Sequence, residues 1–381
     1  MIISRLKLKN WRNFRSAEVV FGERVFLIGP NASGKSNLLD ALRFLRDVAK
    51  AGGGLQTAIS QRGGLSKVRC LAARKEPDVE LDVDLSDNGS DSTWRYELGI
   101  TQQVRGYRLP ILRYERVWRD GRRILERPDT DDAADEERLT QTHLEQISAN
   151  ADFRAVARFF ETIEYLHLVP QLLRHPGAFQ GPGVSDDPYG RNFLELVART
   201  PKKTKESRLR RIEKALQEAV PNLEKLIDTK DDAGVPHLEA VYKHWRPNAG
   251  KQREDQFSDG TLRLIGLFWS LLDGDSPLLL EEPELSLNRE IVRLLPALFS
   301  RLQRRGKRQM FVSTHSWDLL SDKGIGGEEV IMLVPAKEGT ELHVAGDDPE
   351  VLSLLNSGLS IADAALPKTA PPGLQQLDLS E

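Results

Sequence analysis

The eight residues Gly29-Pro30-Asn31-Ala32-Ser33-Gly34-Lys35-Ser36 constrain the fold of this chain more tightly than any other stretch. They spell G-x-x-x-x-G-K-S, a phosphate-binding loop. Its two glycines let the backbone bend until N–H groups point inward at a polyphosphate. Lys35 supplies a mobile cation for the β and γ phosphates, and the hydroxyl of Ser36 suits Mg²⁺. The flanks agree with the motif. Val25-Phe26-Leu27-Ile28 reads as a short buried strand, and Asn37 to Arg46 as a helix carrying Leu38, Leu39, Leu42 and Leu45 at 3–4 spacing. An anion in the loop then sits at a helix N-terminus, where the dipole favours it. Gly29 to Ser36, with Asn37 behind them, form the expected triphosphate-binding set.

A chain of 381 residues is long enough for about two compact regions. With 39% hydrophobic and 29% charged residues it has the composition of a globular protein. No apolar stretch reaches the ~18 residues that span a bilayer, and the start Met1-Ile2-Ile3-Ser4-Arg5-Leu6 reads as a strand rather than a leader. The single cysteine, Cys70, excludes an internal disulfide framework and a cysteine-based zinc site, so a cytoplasmic location without membrane contact is expected. A net charge of −3 gives no support to a nucleic-acid coat. Two basic runs are local exceptions: Lys202, Lys203, Lys205, Arg208, Arg210 and Arg211, and Arg301, Arg304, Arg305, Lys307 and Arg308. Both read first as solvated helix faces.

Hydrophobic periodicity divides the chain. Residues 1–134 read as an N-terminal lobe: two strands feed the phosphate loop, and alternating runs near 79–85, 94–100 and 111–118 form an antiparallel sheet with one wet face. Residues 135–234 read as a mainly helical insertion, with Leu139, Leu144, Ile147, Phe153, Val156 and Phe160 on one broad face and a strand-like run from Ile163 to Val169. The turn-rich loop Pro176 to Gly190 separates this from a second amphipathic segment with Leu209, Ile212, Leu216, Val220 and Leu223. No heptad persists, so a long coiled-coil arm is excluded. Residues 235–346 resume the core, and 347–381 form a partly flexible extension rich in proline and polar residues.

The second half of the site lies between 256 and 318. Leu278-Leu279-Leu280-Glu281-Glu282-Pro283-Glu284 is an apolar strand ending in adjacent carboxylates, which places acids at the ligand-binding edge of a parallel sheet. Neighbours along a strand face opposite ways, so the two acids differ in role: Glu281 toward Mg²⁺ and Glu282 toward the attacking water. His315 follows another short apolar strand, at a position suited to sensing the γ-phosphate. Ser258, Asp259 and Gly260 open a helix whose N-terminus reads either as an ordinary cap or as a second phosphate-binding end.

Taken in order, these motifs resemble the ABC-type ATPases of the SMC and RecF kind. Gly29 to Ser36 resembles Walker A, Phe257-Ser258-Asp259-Gly260-Thr261 a variant signature motif, and Glu281-Glu282 Walker B. Glu284-Leu285-Ser286-Leu287-Asn288 resembles the D-loop and His315 the switch histidine. Asn13-Phe14-Arg15-Ser16 is similar to the segment that opens these proteins, which makes Arg15 a candidate nucleotide contact. Within the group the chain looks closest to stand-alone ATPases related to the overcoming-lysogenization-defect (OLD) proteins. Three positions depart from the pattern: Glu281 replaces the usual aspartate, Asn288 stands where histidine is frequent, and Gln61 is the best candidate for the metal-binding Q-loop glutamine.

The resemblance implies an α/β P-loop NTPase core with an antiparallel subdomain and a helical insertion. It further implies Mg²⁺-dependent hydrolysis of ATP to ADP and phosphate, catalysed through Glu282, His315 and Lys35, with Ser36, Glu281 and Gln61 around the metal. In such enzymes the signature serine comes from a second subunit, so a homodimer clasping two ATP molecules is expected, with slow turnover. DNA and a separate effector such as a nuclease are candidate partners, in DNA repair or antiphage defence. Rival readings are a transporter's nucleotide-binding subunit, a nuclease built on Asp82 and Asp84, and a regulatory scaffold without direct DNA contact. The transporter reading lacks its L-S-G-G-Q signature, and the D-x-D pair sits in an alternating strand.

Overall fold

The computed structural model describes residues 1–370 except 74–75, 88–92, 105, 176–186, 246–249 and 307. Most of the turn-rich loop expected before Gly190, Lys307 of the second basic run, and the chain end at 371–381 lie outside the described residues.

The chain opens with three strands where periodicity predicts two: β1 (Ile2–Trp11), β2 (Phe14–Val20) and β3 (Arg24–Ile28). β1 and β2 form a hairpin closed by the pair Trp11 and Phe14. Its turn, Arg12-Asn13, has no glycine or proline to mark it in sequence, yet Arg12 adopts φ 52°. β4 (Val79–Ser86), β5 (Thr93–Gln102), β6 (Pro110–Arg119) and β7 (Arg122–Arg127) extend this hairpin into an antiparallel sheet of order β2-β1-β4-β5-β6-β7. Alternation works as expected: Val79, Leu81, Val83 and Leu85 are buried. On the other face Asp82 pairs with Arg5 and Arg95, each at 2.8 Å, so the D-x-D acids belong to a salt-bridge network.

The remaining strands are β8 (Glu164–Leu166), β9 (Leu223–Lys230), β10 (Pro236–Tyr242), β11 (Lys251–Arg253), β12 (Leu278–Glu281), β13 (Met310–Thr314), β14 (Val330–Ala336) and β15 (Gly339–Val344). They form a three-stranded sheet, β11-β10-β9, and with β3 a second six-stranded sheet, β15-β14-β3-β13-β12-β8. The latter is parallel throughout except for the β14–β15 pair. Its central strands are buried on both faces, which is why they read as continuous apolar runs.

Alternation along β3 divides the interior. Val25 and Leu27 join Leu38, Leu42 and Leu45 of the helix Lys35–Ala49 and the inner face of the antiparallel sheet, so this helix is sandwiched between two sheets. Phe26 and Ile28 face the opposite layer with Val292, Leu295 and Phe299 of the helix Arg289–Gly306. A third cluster joins the helices Lys202–Ala219 and Asp259–Leu272 to the small sheet.

Within 135–234 the chain contributes more than helices, since β8 completes the parallel sheet and β9 the small one. The broad helical face expected from Leu139 to Phe160 does not form as one helix, and Ile147 is exposed. Buried Glu115 accepts hydrogen bonds from the N–H groups of His143 and Leu144, at 2.7 and 3.0 Å, which replaces helical pairing there. The basic runs are partly structural. Lys205 pairs with Asp228, Arg208 with Asp273, and buried Arg308 bonds to Asp273 and Ser276 carbonyls and to Glu164.

Candidate active site

Register brings the motifs to one edge. Opposite Ile28 at the end of β3 stand Thr314 of β13 and Met332 of β14, and Glu281 of β12 stands opposite Ser313. The phosphate loop, the two acids and His315 all leave the sheet here. This is the C-terminal edge of the parallel strands, where open α/β sheets take ligands.

The loop is a preformed cradle. Ala32 (φ 62°) and Gly34 (φ 102°) turn the backbone, and a Cβ on Gly34 would collide with the Asn13 side chain at 2.1 Å. Asn13 donates to the Ser33 carbonyl at 2.8 Å and to Thr340 Oγ1, and accepts from Asn37 Nδ2 at 2.8 Å. Thr340 donates to the same Ser33 carbonyl at 2.8 Å. The loop is thus braced from β15 and from the β1–β2 turn. Sequence reasoning missed both residues. The N-F-R-S segment pointed to Arg15 as a nucleotide contact; the residue of that segment that bonds to the loop backbone is Asn13.

Lys35 is buried and curls back, its Nζ donating to the carbonyls of Gly29 at 2.9 Å and Pro30 at 3.1 Å. Burial lowers its pKa, partly offset by the fields of Glu282, Glu281 and Glu284. A polyphosphate would bring counter-charge into direct contact with this ammonium. Ser36 Oγ donates to Glu281, and Tyr165 of β8 donates its hydroxyl to the other carboxylate oxygen. Burial and the neighbouring Glu281 carboxylate push the Tyr165 phenol well up, so it stays a donor. Arg43 lies over the Tyr165 ring at 4.9 Å.

Glu282 takes the opposite direction. It adopts φ 43°, its N–H bonds to the Ser313 carbonyl at 3.0 Å, and its carboxylate meets His315 Nδ1 at 3.0 Å. A non-glycine residue held at positive φ beside a reactive group is stored strain of about 1–3 kcal/mol. Glu284 behind it is buried, one oxygen accepting from Thr314 Oγ1 and the other without a partner among the described residues. Burial raises its pKa, against the Thr314 bond.

Ser258 caps the helix Asp259–Leu272, Oγ accepting from the Thr261 N–H at 3.1 Å, and the residue is exposed. Asp259 is tied to Arg174, and Gly260 packs so closely on the Ser286 carbonyl that a Cβ would come within 2.8 Å. No hydrogen bond or ion pair among the described residues joins 258–260 to 29–37. Arg15 pairs with Glu338 and lines a cleft of about 350 Å³ with Lys9, Glu76 and Glu341. Gln61 is an exposed residue just beyond the helix Leu55–Ser60, with no described side-chain contact to Ser36 or Glu281.

The profile of one protein family, described as "AAA domain, putative AbiEii toxin, Type IV TA system", matches residues 24–322. The chain belongs to this family. Over 92 residues it is 35% identical to a DNA replication and repair protein RecF of Shouchella clausii, covering 23% of this chain and 24% of that protein. The chain therefore matches about a quarter of the length of that relative. Two solved structures share the fold. An SMC head bound to the C-winged helix domain of ScpA gives a TM-score of 0.54 at 15% identity over 90% of this chain and 98% of that one. The SMC head domain from Thermotoga maritima gives 0.51 at 15% identity, over 90% and 99%. The expected α/β P-loop NTPase core, with its antiparallel sheet and helices, is the SMC-head-like fold. No helix among the described residues is long and apolar enough to cross a membrane.

Proposed function

We propose that this chain is an ATPase that binds ATP with Mg²⁺ and dimerises around it. The observation that carries the reading is the meeting of Lys35, Ser36, Glu281, Glu282 and His315 at one sheet edge, while Ser258 is exposed and, among the described residues, makes no bond to the loop. One protomer supplies everything for one face of a triphosphate. The opposite face falls to a second copy, whose Ser258 helix end and Gly260 would complete the site by twofold symmetry.

The donor set fits a hard divalent cation: a hydroxyl and a carboxylate side by side, with Tyr165 orienting the carboxylate. Ser36 and Glu281 would hold it, Gln61 being the third candidate. When bound, Mg²⁺ neutralises charge on the β and γ phosphates. Lys35 exchanges its two loop carbonyls for phosphate oxygens. Glu282 orients and deprotonates the attacking water, and His315 keeps Glu282 aimed while its exposed ring meets the γ-phosphate.

The test is mass measurement of the Glu282→Gln variant with and without ATP and Mg²⁺. A dimer that appears only with ATP supports the proposal, and a monomer at saturating ATP overturns it. Duplex and single-stranded DNA added in parallel separate a DNA-acting machine in repair or defence from a regulatory scaffold. The salt bridges that occupy Asp82 favour a separate effector over nuclease chemistry in this chain. A cytoplasmic setting and kinship with OLD-related ATPases belong to the same proposal.

A further inference from the structure

We infer that Glu284 is a positioning residue: through Thr314 it fixes the turn that presents His315 to Glu282, and so governs the hydrolytic step without touching nucleotide. The inference rests on the ATPase reading. His315 lies between two residues held by a single hydroxyl. Thr314 Oγ1 accepts from the N–H of Ser316 at 3.0 Å and donates to Glu284. This bridge encloses the His315 peptide, and the imidazole meets Glu282 at 3.0 Å on its far side. Glu282 is held to the same strand one residue earlier, by the bond of its N–H to the Ser313 carbonyl, and by its positive φ. The acid and the histidine therefore come from different strands of one ladder, and beyond its last backbone bond Glu284, in the turn after Glu282, adds a side-chain tie to Thr314.

Burial is the second argument. Glu284 is 7% exposed and keeps one oxygen without a partner among the described residues. Such an orphan is a desolvation cost that an apolar side chain of the same size would avoid. Arg263 of the helix that Ser258 caps is also buried, its Nε and one terminal nitrogen unpartnered among the described residues, and Glu284 is the largest carboxylate influence on it. Two buried groups of opposite charge with unpartnered atoms thus influence each other here, Glu284 from the turn after the acidic strand and Arg263 from the helix Asp259–Leu272. Apolar packing alone explains neither.

The test compares Thr314→Val, which keeps shape and removes the hydroxyl, with Thr314→Ser and Glu284→Gln, which keep the donor and the acceptor. Steady-state ATP hydrolysis and binding of a fluorescent ATP analogue are measured for each. Thr314→Val is expected to lose roughly tenfold in kcat with KM and analogue affinity held within about twofold, while Thr314→Ser and Glu284→Gln retain wild-type kcat. Unchanged kcat in Thr314→Val, or an equal loss in Thr314→Ser, overturns the inference. If Thr314→Val does not fold, Glu284→Met must give the same kcat-specific loss, and its absence overturns the inference equally. The His315 ring resonance, assigned by a His315→Gln variant, gives a readout independent of turnover. It should move in Thr314→Val and not in Thr314→Ser even if the wild-type chain proves unable to hydrolyse ATP, and no movement overturns the inference.

Discussion

Tyr165 and Ser36 share one carboxylate, Glu281, from opposite sides. This arrangement answers the question raised by a glutamate where relatives of the motif have aspartate. The longer side chain gains reach and loses stiffness, and a half-buried phenol restores the stiffness. Tyr165→Phe removes that hydroxyl and keeps the ring under Arg43. The Mg²⁺ concentration for half-maximal ATP hydrolysis should rise roughly tenfold, as orienting partners of metal ligands usually cost when lost. An unchanged Mg²⁺ titration would remove Tyr165 from the site. No feature of the sequence near 165 carried this signal, because the residue acts 116 positions from its partner.

At the level of elements, the close approach of Gly260 to the Ser286 carbonyl joins the start of one helix to the loop after the acidic strand. Ser286 itself adopts φ 62°, so the loop has little room to retreat. Gly260→Ala should therefore displace this loop and reduce ATP hydrolysis at least tenfold, with a stability cost of about 1–3 kcal/mol; full activity in a thermal-melt-matched sample would contradict the packing argument. What the sequence disclosed about such elements follows a physical divide. The phosphate loop, β12 and β13 were legible because local pattern sets them: a short apolar run and then a turn with special residues. The hairpin turn at Arg12-Asn13 was not, because positive φ there falls on an arginine. Nor was the region after Leu139, where Glu115 captures backbone N–H groups from 28 and 29 positions away and overrides helical periodicity. Asn13 and Thr340 meet at Ser33 across 20 and 307 positions, a convergence that no window along the chain contains.

For the whole molecule, the proposed assembly makes a prediction that no single chain can imitate. Lys35→Ala and Ser258→Arg should each abolish ATP hydrolysis alone. In a head-to-tail dimer, a mixed pair carries one site with both defects and one with neither. An equimolar mixture should therefore recover about a quarter of wild-type activity, since half the dimers are mixed and each has one intact site. No recovery on mixing would mean that each chain encloses its own nucleotide. The cap at Ser258 bears on how long such an assembly would last. Its oxygen accepts from the Thr261 N–H at 3.1 Å and lies 2.8 Å from Thr261 Oγ1; with Thr261 as donor in that second contact too, both lone pairs are filled and the serine has only its proton to give. Such a hydroxyl can grip only an acceptor, and a terminal phosphate is rich in them. Once that phosphate has left, the serine has nothing to hold, and the lifetime of the pair becomes a timer set by a single bond-breaking event.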